Sequence, residues 1–176
     1  MILKPPLTDK DVKELKAGDR VLITGKVYAA RDAAHKRMEG NPPFDVKGQI
    51  LYYASPTPTP PGKIIGSIGP TTASRMDAFT PELLKKGLKG MIGKGSRSKE
   101  VIEAIKKYKA VYFVVPGGVA ALLSKHVKKS RIIAYPELGP EALLELDVVD
   151  FPAIAAIDSE GNNILELGKK KFRHGI

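Results

Sequence analysis

Gly69 to Asp77, GPTTASRMD, sets two adjacent hydroxyls, a serine, an arginine and an aspartate directly behind a helix-breaking Gly-Pro pair. Capping one helix does not need so many polar groups. The amides of Thr71, Thr72 and Ala73 can form an anion-binding nest where a turn enters a helix. Arg75 supplies the planar fork that fits a carboxylate. Thr71 and Arg75 are four apart and share a face if the segment is helical. Two other segments carry related chemistry. In ARDAAHKR, Arg31 and Asp32 follow an expected strand, where a helix N-terminus collects anions. His35 lies one turn further on a similar face, open to being a base, a ligand or a hydrogen-bonded helix residue. In GMIGKGSRS, Lys94 sits between glycines, so its ammonium can project over a strand end. This is no Walker A loop, because Leu88 stands where that pattern needs glycine. Three cations at strand-to-helix turns, with hydroxyls beside them, describe a receptor for a small molecule bearing two carboxylates. The plainer alternatives are a threonine N-cap, a surface Arg-Asp pair and a decorated first helical turn.

The elements that must position these groups alternate. Thr8 and Asp11 suit the start of a short helix, DKDVKELKAG, ended by Gly18. RVLITGKVYAA and QILYYAS read as strands, with the helix RDAAHKRM between them, stopped by Gly40 and Pro42-Pro43. SPTPTPPG is extended or turning, because prolines block a ladder. Ile64 to Ile68 reads as a short strand, Pro81 opens a helix PELLKKG, and GMIGKG is a strand with a glycine-flanked turn. Ser98 caps KEVIEAIKKY, whose Val101, Ile102, Ile105 and Tyr108 recur at helical spacing. AVYFVV is a buried-type strand broken by Pro116-Gly117-Gly118. PGGVAALL lacks G-x-G-x-x-G and reads as a tight strand-to-helix turn. VAALLSKHV predicts a helix, RIIAYPE a strand, PEALLELDV a further helix, and PAIAAID-SEGN-NILELG a closing hairpin. The alternation predicts an α/β fold with parallel or mixed pairing, in one domain spanning 1–176.

Composition bounds the function. The 176 residues suit one domain with a core, and 43% hydrophobic with 27% charged residues is ordinary for a soluble protein. No apolar run approaches the ~20 residues that span a bilayer, and MILKPPLTDKD has no signal core, which points to the cytoplasm. With no cysteine there is no disulfide, thiol nucleophile or thiolate metal site, and His35, His126 and His174 are far apart in sequence. The net charge of +10 fits nucleic acid, a small anion or acidic partner, or plain lysine-rich solvated faces. No nucleic-acid motif or aromatic interleaving accompanies it. From Lys169 the charged tail reads as a solvated or frayed end.

VYAARDAAHKR, GPTTASRMDAFTPELLKKGLKGMIGKG and YFVVPGGVAALL resemble the β subunit of class I fumarate hydratase and the related β subunit of L(+)-tartrate dehydratase, from about Leu15 to Leu165. The resemblance implies a swivelling β/β/α domain with a mixed sheet. It implies a partner α subunit carrying an oxygen-sensitive 4Fe–4S cluster on three cysteines, with no metal bound by this chain, in an α2β2 assembly. Arg31, Arg75 and Lys94 match the family's substrate-binding residues, and Thr71 matches its proposed base. Asp32, His35, Thr72 and Asp77 would stand behind them. The implied reaction is the reversible hydration of fumarate to L-malate, a step of the tricarboxylic acid cycle, with tartrate dehydration as the alternative. A hydroxyl has a pKa far above neutrality, so hydrogen bonding remains a second role for Thr71. A basic binding or assembly module without chemistry is the non-enzyme reading.

Overall fold

In QILYYAS the side chains alternate between two interiors: Ile50 and Tyr52 enter one apolar cluster, Leu51 and Tyr53 the other. That period of two is the organising fact of the fold, because it requires a sheet covered on both faces. The computed structural model describes the backbone of residues 1–172 and the side chains of residues 1–168. In chain order the elements are β1 (Ile2–Leu3), α1 (Asp9–Glu14), β2 (Arg20–Ala29), α2 (Asp32–Met38), β3 (Ile50–Tyr52), β4 (Ala54–Pro56) and β5 (Ile68–Pro70). A 3₁₀ turn at Ala73–Met76 leads into α3 (Thr80–Lys85), β6 (Gly90–Gly93), α4 (Lys99–Tyr108), β7 (Val111–Val114) and α5 (Ala120–Leu123). Then come 3₁₀ turns at Ser124–His126 and Pro136–Glu141, flanking β8 (Val127–Ala134), and finally β9 (Leu143–Ile157) and α6 (Ile164–Phe172).

Seven strands form one mixed sheet in the order β1-β2-β3-β6-β7-β9-β8, and β2 also pairs with β9. That extra pairing curls β2-β3-β6-β7-β9 into a partly closed, barrel-like ring. β2, β3, β6 and β7 run parallel, and β9 runs antiparallel to β2, β7 and β8. β4 and β5 pair antiparallel as a separate ribbon. The inward face carries Val21, Ile23, Ile92, Phe113, Leu146 and Phe151. The outward face is roofed by Ala34 and Met38 of α2, Leu83 and Leu84 of α3, and Val101 and Ile105 of α4. Each such aliphatic side chain contributes about 1.5–3 kcal/mol when taken from water. Thr8 caps α1 as expected and, with Asp11, closes a capping box, and the Ser98 hydroxyl accepts the Val101 amide at the start of α4.

Four expectations change. PEALLELDV is no helix: after the 3₁₀ turn at Pro136–Glu141 it enters β9. Its Leu144, Leu146 and Val148 alternate into the inner core, so burial against β2 overrides the helical propensity of Glu, Ala and Leu. Pro152 is tolerated because it lies between the reach of β8, which pairs to Val148, and of β7, which pairs from Ile154. The closing hairpin is instead strand, turn and helix. Asp158 accepts the amides of Glu160 and Asn162, one Ile157–Asn163 bridge forms, and Ile164–Phe172 is helical. The tail read as a solvated or frayed end from Lys169 is helical as far as Phe172, and its remainder, His174 included, lies outside the described residues. The helix VAALLSKHV shrinks to one turn of α5 plus a 3₁₀ turn, and β8 starts at Val127. The expected strand at Ile64 to Ile68 moves to Ile68–Pro70. Among the described residues, no helix is long and apolar enough to cross a membrane.

Candidate anion-binding site

Strand ends bring the singled-out segments together. β4 pairs with β5, and just beyond this ribbon the Thr71 amide donates to the Tyr53 carbonyl at 2.7 Å. The Lys94 amide donates to the Thr71 carbonyl at 3.2 Å, and the Ala73 amide to the Lys94 carbonyl at 2.9 Å. The GPTT turn and the GKG turn are thus zipped by main chain, with Thr72 and Lys94 as a parallel bridge. Their side chains meet too, the Lys94 ammonium donating to Thr72 Oγ1 at 2.9 Å. Glycine makes this approach feasible. A Cβ on Gly93 would stand 2.9 Å from Ala73 Cβ, and one on Gly69 2.8 Å from Ala120 Cβ.

A second group forms around Asp32, the first residue of α2. Its Oδ2 accepts Arg31 Nε at 3.2 Å, and its Oδ1 lies 2.7 Å from Arg75 Nε. One carboxylate therefore bridges two guanidiniums. Arg31 also donates to Ser55 Oγ at 3.3 Å and lies 3.7 Å from Glu141, whose other oxygen accepts the Ala33 amide. Ser55 lies on β4 opposite Gly69, so Arg31 is anchored to the strand paired with β5, the one that delivers Thr71. The side chains of Arg31, Asp32 and Arg75 keep 27%, 31% and 49% of their exposure, so the group faces solvent. Burial opposes ionisation of Asp32. Its hydrogen bonds and the Arg75 and Arg31 charges still hold its carboxyl below the usual value.

The remaining expected residues lie behind this surface. His35 is fully buried, edge-on to Tyr53 and near Phe79. Its Nδ1 is 2.9 Å from the Arg31 carbonyl, which only accepts, so Nδ1 carries the hydrogen and Nε2 is left without a partner. Burial pushes its pKa down to about 4, so the imidazole is neutral at pH 7. Asp77 points inward: Oδ1 accepts Arg97 Nε at 2.6 Å and Oδ2 accepts the Ser98 amide at 2.6 Å. Arg31, Asp32 and Arg75 thus form one cluster, Thr72 and Lys94 an adjoining one, and Thr71 joins the second through its backbone. His35 is a buried support, and Asp77 a partly exposed one turned towards Arg97. Ser55, Glu141 and Arg97 are partners that sequence reasoning did not single out. Glu141 was hidden inside an apparent helix, and Arg97 looked like any basic residue beside a cap.

Four grooves of about 330–480 Å³ among the described residues are lined by other side chains. The cation group is instead a half-exposed shelf, which can grip an anion from one side. Among the described residues, no set of three His, Asp or Glu side chains is placed to hold a metal ion.

Residues 1–168 match the protein family described as Fumarase C-terminus. The chain is 42% identical to a protein of Methanocaldococcus jannaschii named "Putative L(+)-tartrate dehydratase subunit beta", over 94% of this chain and 91% of that one. It is 33% identical to the L(+)-tartrate dehydratase subunit beta of Escherichia coli, over 97% and 89%. It is 35% identical to the aerobic class I fumarate hydratase of Salmonella typhimurium over 93% of this chain, but spans only 30% of that longer protein.

Proposed function

The chain belongs to the Fumarase C-terminus family, and from that premise we propose that it is the β subunit of a hydro-lyase that adds water to fumarate to give L-malate and reverses the reaction. The observation that carries this reading is the Asp32 carboxylate gripped by Arg31 and Arg75 beside the Thr72–Lys94 pair. A surface that already holds one carboxylate between two guanidiniums has the chemistry to hold a substrate's. Arg75 and Arg31 bind the carboxylates of a C4 dicarboxylate, with Asp32 exchanging its contacts for the incoming group. Lys94, fixed by Thr72, adds positive charge, and neutralising the carboxylate next to C3 makes the C3 proton easier to remove. Thr71 Oγ1 receives that proton as an alkoxide stabilised by the Arg75 and Lys94 charges, or stays a neutral hydroxyl that hydrogen-bonds the substrate while another group is the base.

A 4Fe–4S cluster enters this reading only on the partner. The chain has no cysteine, and its described residues offer no metal-holding set, so they do not fit the group. A partner α subunit would hold it, and the chemistry it would supply there is that of a Lewis acid. We place the chain, as a single domain over residues 1–176, in an α2β2 assembly in the cytoplasm, at the fumarate–malate step of the tricarboxylic acid cycle. The similarity to the two tartrate dehydratase β subunits supports a second reading, dehydration of L(+)-tartrate.

Anaerobic reconstitution with the α subunit, assayed against fumarate, L-malate and both tartrate enantiomers, separates these readings. Turnover of fumarate and malate is the expected result, and turnover of L(+)-tartrate alone selects the second reading. No turnover of any C4 dicarboxylate, with salt-sensitive polyanion binding that survives substitution of Arg31 and Arg75, would leave the basic binding module.

A further inference from the structure

Arg97 is the one guanidinium in the described chain whose side chain is wholly enclosed, with no exposure at all. Burying a charge is costly unless it is paired and hydrogen-bonded. Here Nε donates to Asp77 Oδ1 at 2.6 Å, one terminal nitrogen to Thr80 Oγ1 at 2.8 Å, and the other faces Met91 Sδ at 3.6 Å. The guanidinium carbon lies 5.2 Å from the Tyr53 ring centroid and 5.0 Å from that of Tyr112, between two π-faces. Three of these contacts lead to different parts of the shelf. Asp77 closes the 3₁₀ turn that carries Arg75, two residues away. The carbonyl of Tyr53 accepts the Thr71 amide. The hydroxyl of Tyr112 donates to the Gly95 carbonyl at 3.0 Å, beside Lys94.

We propose that Arg97 is a positioning residue: a buried cation that sets the mutual spacing of Thr71, Arg75 and Lys94 without touching the substrate. It binds at one remove to all three segments, which arrive from separate parts of the chain. A hydrophobic residue of similar volume would fill the space but could not hydrogen-bond Asp77 and Thr80 while holding a cation against the rings of Tyr53 and Tyr112. The proposal rests on the hydro-lyase reading for its kinetic arm and on geometry alone for its structural arm.

The test uses Arg97→Lys in the full chain, read by residue-resolved amide hydrogen exchange, and in the enzyme assembled with its α subunit, read by kcat and KM. Lysine keeps the charge but loses the fork. Exchange at the Thr71, Ala73 and Lys94 amides is expected to speed up about tenfold or more, while the β2–β9 ladder at Val21 to Val27 stays as protected as in the wild type. In the assembled enzyme kcat/KM falls about tenfold or more, with KM rising through Arg75 and Lys94 and kcat falling through Thr71. Asp77→Asn, which removes the charge partner and keeps the shape, gives the same local pattern if the lysine variant does not fold. Unchanged exchange at the three amides overturns the proposal. So does an acceleration shared equally by the β2–β9 ladder, or failure of both variants to fold, since either makes Arg97 a general stability residue. If the wild-type assembly turns over no dicarboxylate, the function reading falls while the exchange result still decides the role of Arg97.

Discussion

Asp32 occupies the guanidiniums that the proposed substrate needs, so single side chains should divide the kinetics cleanly. Arg75→Lys keeps a cation but gives up the planar fork. The KM of the assembled enzyme should rise about tenfold, roughly 1.4 kcal/mol of binding, and an unchanged KM would remove Arg75 from the substrate's contacts. Thr71→Ala should act on kcat far more than on KM. A large rise in KM at unchanged kcat would instead assign Thr71 to ground-state binding. His35 gives a measurement that needs no activity. Its folded-state pKa of about 4 lies below the ordinary 6.5, so the unfolded chain takes the proton first as pH falls. The stability His35 contributes is complete above pH 6.5 and is lost on going down towards 4, on the order of 3 kcal/mol in all. Depressed carboxylates such as Asp32 and Glu145 act lower, starting from ordinary values of 3.8 and 4.5. Urea midpoints between pH 6.5 and 4.5 should therefore fall in the wild type and flatten in His35→Gln. An equal slope in both would show that His35 is not the group responsible. Which polar residues cluster was legible from residue type. Which of them face solvent was not, because Asp32 and Asp77 look alike in sequence and only the tertiary partner of each decides its direction.

At the scale of elements, the site depends on how closely two turns approach. Gly93→Ala would push a methyl against Ala73 Cβ at 2.9 Å and Tyr53 Cδ2 at 3.1 Å. Overpacking of this kind costs about 1–3 kcal/mol. A lower denaturation midpoint together with a raised KM is the expected outcome, and wild-type behaviour in both would mean that the turns can separate without consequence. Apart from the strand expected at Ile64 to Ile68, which forms at Ile68–Pro70, the strands and helices from Arg20 to Val114 were readable from local punctuation: a cap at Ser98, glycines around Lys94, alternation in QILYYAS. Leu143–Val148 was not, because Glu145 and Leu146 favour helix locally and are held extended by β2, more than a hundred residues earlier. The site was thus legible wherever its elements are specified locally, and Glu141 was missed because it enters through the misread stretch.

Across the whole molecule, one strand serves both sides of the ring. β9 pairs with β2 along one edge and divides the other between β8 and β7. Phe151 sits between those two neighbours, 1% exposed and edge-on to Tyr52. Phe151→Ala should cost about 3–5 kcal/mol and lower one cooperative transition for barrel and shelf together. Two separated transitions would mean that the halves are independent. The same strand fixes the order in which the molecule can be built. Arg20 must wait for Ile154 before its ladder can form, and contacts so distant along the chain make folding slow. On the ribosome, every cation of the shelf is therefore synthesised before the ring that aligns it can shut. A nascent chain halted short of Leu143 would leave β2 and β8 with bare edges, ready to pair with a neighbour's.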